Sequence, residues 1–149
     1  MTTHVERRET THFALLRTPA EGLPAAMQRI LHGPRFDMNA SLAQRVPVNA
    51  EGRFWVIPAR GVLCIFAEQD TQSVSSVCAK TGQALVHGLA ITLLSRAAAG
   101  GRTIVGIAPD GKRTAVLHSK HATVVAQIVH NVFAHSDSLT VPVDRVDMR

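Results

Sequence analysis

Apolar and polar positions follow two different rhythms along this chain. In the first third, Leu23, Met27, Ile30 and Leu31 recur at helical spacing and predict a short helix over residues 24–32, stopped by Gly33-Pro34. Asn39 suits an N-cap for a second short helix over 40–46, with Leu42 and Val46 inward and Pro47 ending it. From Arg53 the pattern turns β-like. The runs Phe54-Trp55-Val56-Ile57 and Val62-Leu63-Cys64-Ile65-Phe66 flank Pro58 and Gly61 and predict a hairpin. Val74, Val77, Cys78, Thr81 and Leu85 then fall on one helical face, which predicts a helix near 74–86, capped by Ser73 and ended by Gly88.

Strands are expected at 89–95, 103–108, 113–118, 122–134 and 139–145, with a small-residue loop at 97–101. Pro109-Asp110-Gly111 is a turn signal, and Asn131 inside an apolar run suggests a bulge. These elements predict an α+β fold: short N-terminal helices, then a β-rich antiparallel sheet or partly closed barrel with one inserted helix near 74–86. The expected core includes Phe54, Val56, Leu63, Ile65, Val77, Leu85, Ile91, Leu93, Ile104, Ile107, Val116, Val124, Ile128 and Val132. Residues 1–10 are polar and predict a disordered tail, leaving 11–149 as one domain.

The chain has 149 residues and is 46% hydrophobic, so it needs neither metal nor disulfide to hold a core. It has one Trp, five Phe and no Tyr, which leaves few platforms on which bases could stack. The net charge of +5 invites a nucleic-acid reading. The basic residues are scattered, however, and the pairs Arg7-Arg8 and Lys112-Arg113 both have acids close by. Nucleic acid is therefore a disfavoured partner. The longest apolar stretch, Leu89 to Leu94, is too short to span a bilayer. The polar start implies a cytoplasmic protein if it is the native N-terminus, and an extracytoplasmic one if a leader or anchor precedes it.

Several short motifs occur in a familiar order: Trp55-Val56-Ile57-Pro58, Gly61-Val62-Leu63-Cys64, Cys78, Val105-Gly106-Ile107-Ala108-Pro109-Asp110-Gly111, and Asn131-Val132-Phe133. Together with Phe13-Ala14-Leu15-Leu16-Arg17, they resemble a group of small actinobacterial proteins. The resemblance spans residues 12–135. It implies a common domain, no particular activity, and for many members an extracytoplasmic, tethered location.

The candidate chemistry is sparse. Cys64 and Cys78 are either a disulfide or two buried free thiols. His118-Ser119-Lys120-His121 would place two imidazoles opposite each other if Ser119-Lys120 formed a two-residue turn, with His130 or His135 as a third metal ligand. Exposed histidines near loop ends are the competing reading. No zinc-protease spacing, nucleophile elbow or phosphate loop is present, and no cofactor is implied. The leading expectation is a non-catalytic binding or protein-interaction module, with a second copy of the chain among its candidate partners. A small enzyme with a Cys/His site is the alternative, and a nucleic-acid-binding protein comes third.

Overall fold

The computed structural model describes residues 12–17, 19, 21–24, 40–48, 50, 52–59, 61–69, 74–94, 101–137 and 143–149. The predicted tail at 1–10 and nearly all of the predicted helix at 24–32 lie outside these residues. Strand accounts for 57% of the described residues, so the fold is mainly β rather than α+β. The helix expected over 40–46 is instead a 3-10 turn, Ala40–Leu42, followed by the short strand β1, Gln44–Arg45. Another 3-10 turn covers Ala14–Arg17. A two-residue strand needs little sequence of its own, because β1 is placed by its register on the next strand, with Gln44 opposite Val56 and Arg45 opposite Trp55.

Among the described residues the strands form three antiparallel sheets, none of them closed into a barrel. The first sheet contains β1, β2 (Arg53–Ala59), β3 (Val62–Glu68) and β4 (Val74–Lys80), in that order. The β2–β3 hairpin expected from sequence is present, with Gly61 at a φ of 74° in its turn. Pro58 lies past the reach of β1, where β2 is itself an edge and tolerates a missing N–H. The continuous apolar runs of β2 and β3 follow from burial on both faces. Phe54, Val56, Leu63 and Ile65 enter one core, while Trp55, Ile57, Cys64 and Phe66 enter another with Leu23 and Ala43.

The helix predicted near 74–86 is wrong for its first half. Residues 74–80 pair with β3 along their full length, Val62 to Lys80 through Glu68 to Val74. Only Thr81–His87 is helical, here called α1, and Gly88 ends it with a φ of 71°. Val74 and Val77 are β-branched, and such side chains fit a pleated surface better than a helix. The consequence for the core is direct: Val77 is exposed, and Leu85 is only partly buried.

The middle sheet has the order β5 (Leu89–Leu94), β6 (Arg102–Ile107), β9 (Val132–Asp137). The last has the order β10 (Val143–Met148), β7 (Thr114–Ser119), β8 (Thr123–Gln127). The expected strand at 122–134 is therefore two strands, and the one at 139–145 starts later among the described residues. Leu89, Ile91, Leu93, Val105, Ile107 and Val132 of the middle sheet pack against the first sheet. Its other face, with Ile104 and Phe133, packs against Ala115, Leu117 and Ala126 of the last. Gly106 is paired with Phe133, and a Cβ on Gly106 would collide with the phenyl ring. The missing side chain is the space the ring occupies.

Among the described residues no helix is long and apolar enough to cross a membrane.

Candidate functional site

The corner between β8 and β9 is built by a tight turn. Val129 and Val132 exchange both backbone hydrogen bonds, at 2.9 and 3.0 Å, around His130 and Asn131. His130 has a φ of 50° and Asn131 a φ of 71°, the two positive values that a type I′ hairpin turn requires. Asn131 thus marks a turn, not the bulge expected from its place in an apolar run. Asn adopts the left-handed conformation more readily than other non-glycine residues. That preference, in a His-Asn pair between apolar neighbours, was the available signal.

The buried Asn131 side chain ties this turn to two other loops. Its Nδ2 donates to the Ala108 carbonyl at 2.9 Å and to Asp110 Oδ1 at 2.7 Å. Its Oδ1 accepts the Leu15 N–H at 2.9 Å. Asp110 Oδ1 also accepts the Ala14 N–H at 2.9 Å, and Asp110 Oδ2 lies 3.2 Å from Arg17 Nη1. Burial works to raise the Asp110 pKa; the hydrogen bonds from Asn131 and Ala14 and the Arg17 charge outweigh it, so the net shift is downward. Pro109-Asp110-Gly111 does form the predicted turn, with Gly111 at a φ of 91°. Its carboxylate serves as a strap over the first 3-10 turn.

Against this anchored turn lies a cleft of about 310 Å³, lined by Pro47, Val48, Gln127, Val129, His130, Val132, Phe133 and Ala134. The lining is mostly aliphatic and aromatic carbon and contains no carboxylate or ammonium group. Val129 stands at its edge, 61% exposed. Such a cleft can take an apolar side chain but has no group suited to proton transfer other than the exposed His130 imidazole.

The histidines proposed as metal ligands are not brought together. The β7–β8 turn is one residue later than expected. Ser119 N donates to the Ala122 carbonyl at 2.9 Å, so Lys120 and His121 are its central residues. Ser119 Oγ reinforces it by contacts with both the N–H and the carbonyl of Ala122. His118 consequently faces Thr123, not His121, and its Nε2 lies 2.9 Å from Asp147 Oδ2 on β10. Arg145 Nε approaches the same carboxylate oxygen at 3.3 Å. His121 and His130 are exposed at opposite ends of β8, and His135 lies on β9 opposite Ile104. No group of three or more candidate ligands among the described residues could hold a metal ion.

Cys64 and Cys78 face each other across β3 and β4 with their sulfurs 1.99 Å apart, at disulfide distance. They are the chain's two cysteines. Paired in this way, they leave no thiol for a Cys-His nucleophile.

On the same face of the first sheet, Trp55 sits beneath two guanidinium groups. Arg45 and Arg53 lie 5.1 and 5.3 Å from its ring centroid, and Arg53 also forms an ion pair with Glu68. The sequence gives no local hint of this arrangement, because Arg45 reaches Trp55 only through the β1–β2 pairing. Trp55 is almost fully buried, so the cluster offers a ligand little access.

No family model matches the sequence, and no curated protein or solved structure matches it significantly.

Proposed function

We propose that this chain is a non-catalytic protein-interaction module, with its contact surface at the corner where β8 runs into β9. The observation that carries this reading is the carbon-lined cleft beside the sheet edge formed by β8. An edge strand supplies backbone donors and acceptors to an incoming extended segment, and an adjoining apolar cleft selects one of its side chains. Within that frame the anchoring of the β8–β9 turn by Asn131 holds the cleft wall in a fixed shape before a partner arrives, which lowers the ordering cost of binding.

A photo-crosslinking residue placed at Val129 in the native host tests the reading. Discrete protein adducts are expected from that position and not from Gln83, an exposed residue of α1. No adducts at Val129, or the same set at Gln83, would overturn it.

A further inference from the structure

Strands β3 and β4 are neighbours in one sheet and differ in what holds them. From Leu63 to Glu68 every residue of β3 is buried. No residue of β4 is. Ser75, Ser76, Val77 and Lys80 are exposed, while Val74, Cys78 and Ala79 are half-buried at the margins of the two cores. Among the described residues β4 pairs with β3 and with no other strand, so it is the edge of its sheet. Its C-terminal end is fixed, because the fully buried Thr81 opens α1 and donates its N–H to the Gly61 carbonyl at 3.0 Å. Along the strand itself one covalent link reinforces the ladder: Cys64 and Cys78, directly opposite each other.

Burial sets how readily a segment opens on its own. Losing β4 would take no fully buried side chain from either core, whereas losing β3 would empty both. The two sulfurs are also unequal. Cys64 is completely buried and Cys78 half-buried, so a thiol arriving from solvent meets Cys78 first. We infer that Cys64–Cys78 is a redox latch, and that a dithiol reductant attacking Cys78 releases β4 while the rest of the fold stands. The reductant's thiolate bonds to Cys78 Sγ as the bond to Cys64 Sγ breaks. The Cys64 sulfur leaves with the electron pair and takes up a proton. The second thiol of the reductant then closes on the first and displaces Cys78, so the reductant ends as a disulfide and the chain as two thiols. The freed strand hinges at Thr81. It leaves the outer backbone edge of β3 unpaired, an apolar edge that the latched form covers. The latch does not depend on the contact surface proposed at β8.

Hydrogen exchange read by mass spectrometry, on the oxidised chain and on the chain reduced with dithiothreitol, tests this. Reduction is expected to speed exchange across 74–80 by about a hundredfold, the opening that a bridge of this span suppresses, and to leave β6 and β9 at their oxidised rates. The Cys64→Ala/Cys78→Ala chain should show the same local loss without reductant, which separates the latch from a direct effect of dithiothreitol. Brief treatment with glutathione and an acid quench should trap the mixed disulfide on Cys78. Unchanged protection of 74–80 after reduction overturns the inference. So does loss of protection throughout the chain, which would make the bridge a staple of the whole fold, and so does a glutathione adduct on Cys64.

Discussion

Asn131 Nδ2 donates a hydrogen bond to Asp110 Oδ1 at 2.7 Å, joining a hairpin turn to a loop 21 residues earlier in the chain. The same amide holds the Leu15 N–H and the Ala108 carbonyl. Truncating it would strand polar groups that are buried or partly buried, and would leave a side chain with a Cβ at a positive φ without its compensation. Asn131→Ala should lower stability by about 2–4 kcal/mol in urea denaturation. Asn131→Gly keeps the backbone freedom and loses only the bonds, so it should lie between the two. The single tryptophan, Trp55, is buried and gives a fluorescence signal for these titrations. Equal stability of wild type and Asn131→Ala would show that the strap carries nothing.

Acid should expose the other half of that pair. The Asp110 carboxyl sits below its ordinary value of 3.8 in the folded chain. A carboxylate depressed on folding stabilises the fold above its unfolded pKa, and the benefit drains away as pH falls through the folded value. Asp110→Asn should therefore destabilise the protein at neutral pH and converge on wild type in the window below 3.8. Two stability curves that stay parallel through that window would contradict the assignment.

The Cys64–Cys78 pairing closes a loop of 14 residues between adjacent strands. In the chain-entropy model a bridge of this span contributes about 3 kcal/mol. Thiol titration of freshly purified, denatured, non-reduced protein should find no free thiol. Full reduction, or the Cys64→Ser/Cys78→Ser pair, should lower the denaturation midpoint accordingly. Detecting two thiols under those conditions would contradict the pairing.

Gly106 and Phe133 form a lock-and-space pair on the middle sheet. Gly106→Ala should cost about 1–3 kcal/mol, because a methyl group and the phenyl ring cannot occupy the same place. Phe133→Leu alone should also destabilise by shrinking the core. The double variant should recover part of the loss, a positive coupling in a double-mutant cycle. Additive effects would mean that the ring does not lie over Gly106.

Where local signals agreed with distant ones, the sequence was readable. The β2–β3 hairpin is legible because Pro58 and Gly61 separate two apolar runs that also pair with each other. The 74–80 segment is ambiguous in sequence because Val74, Val77 and Cys78 satisfy helical spacing as well as they fit a strand. What decides between them is Cys64 and the rest of β3, which periodicity does not see. The N-terminal helix over 40–46 failed for the same reason, since β1 exists only through its contact with β2. In the candidate site the histidines misled through a one-residue error in a turn. Ser119, not His118, opens that turn, and the shift moves His121 off the strand. Asn131 forms a turn where its apolar surroundings suggest a bulge. Its partners at Leu15 and Asp110 lie too far along the chain for spacing to suggest them.

The middle strand β6 has a cost that the outer strands escape. Val105 and Ile107 fill one core while Ile104 and the space at Gly106 serve the other. Sliding β6 by one position would send branched side chains into the phenyl ring and put the glycine where the first core needs bulk. Substitution should therefore be tolerated by the fold at the outward residues of β8 and β10, such as Val125 and Asp144, which face no second layer, and scarcely at all between residues 103 and 107. A map of variant abundance across the chain would show β6 as a trough with no alternation, a strand without a spare face.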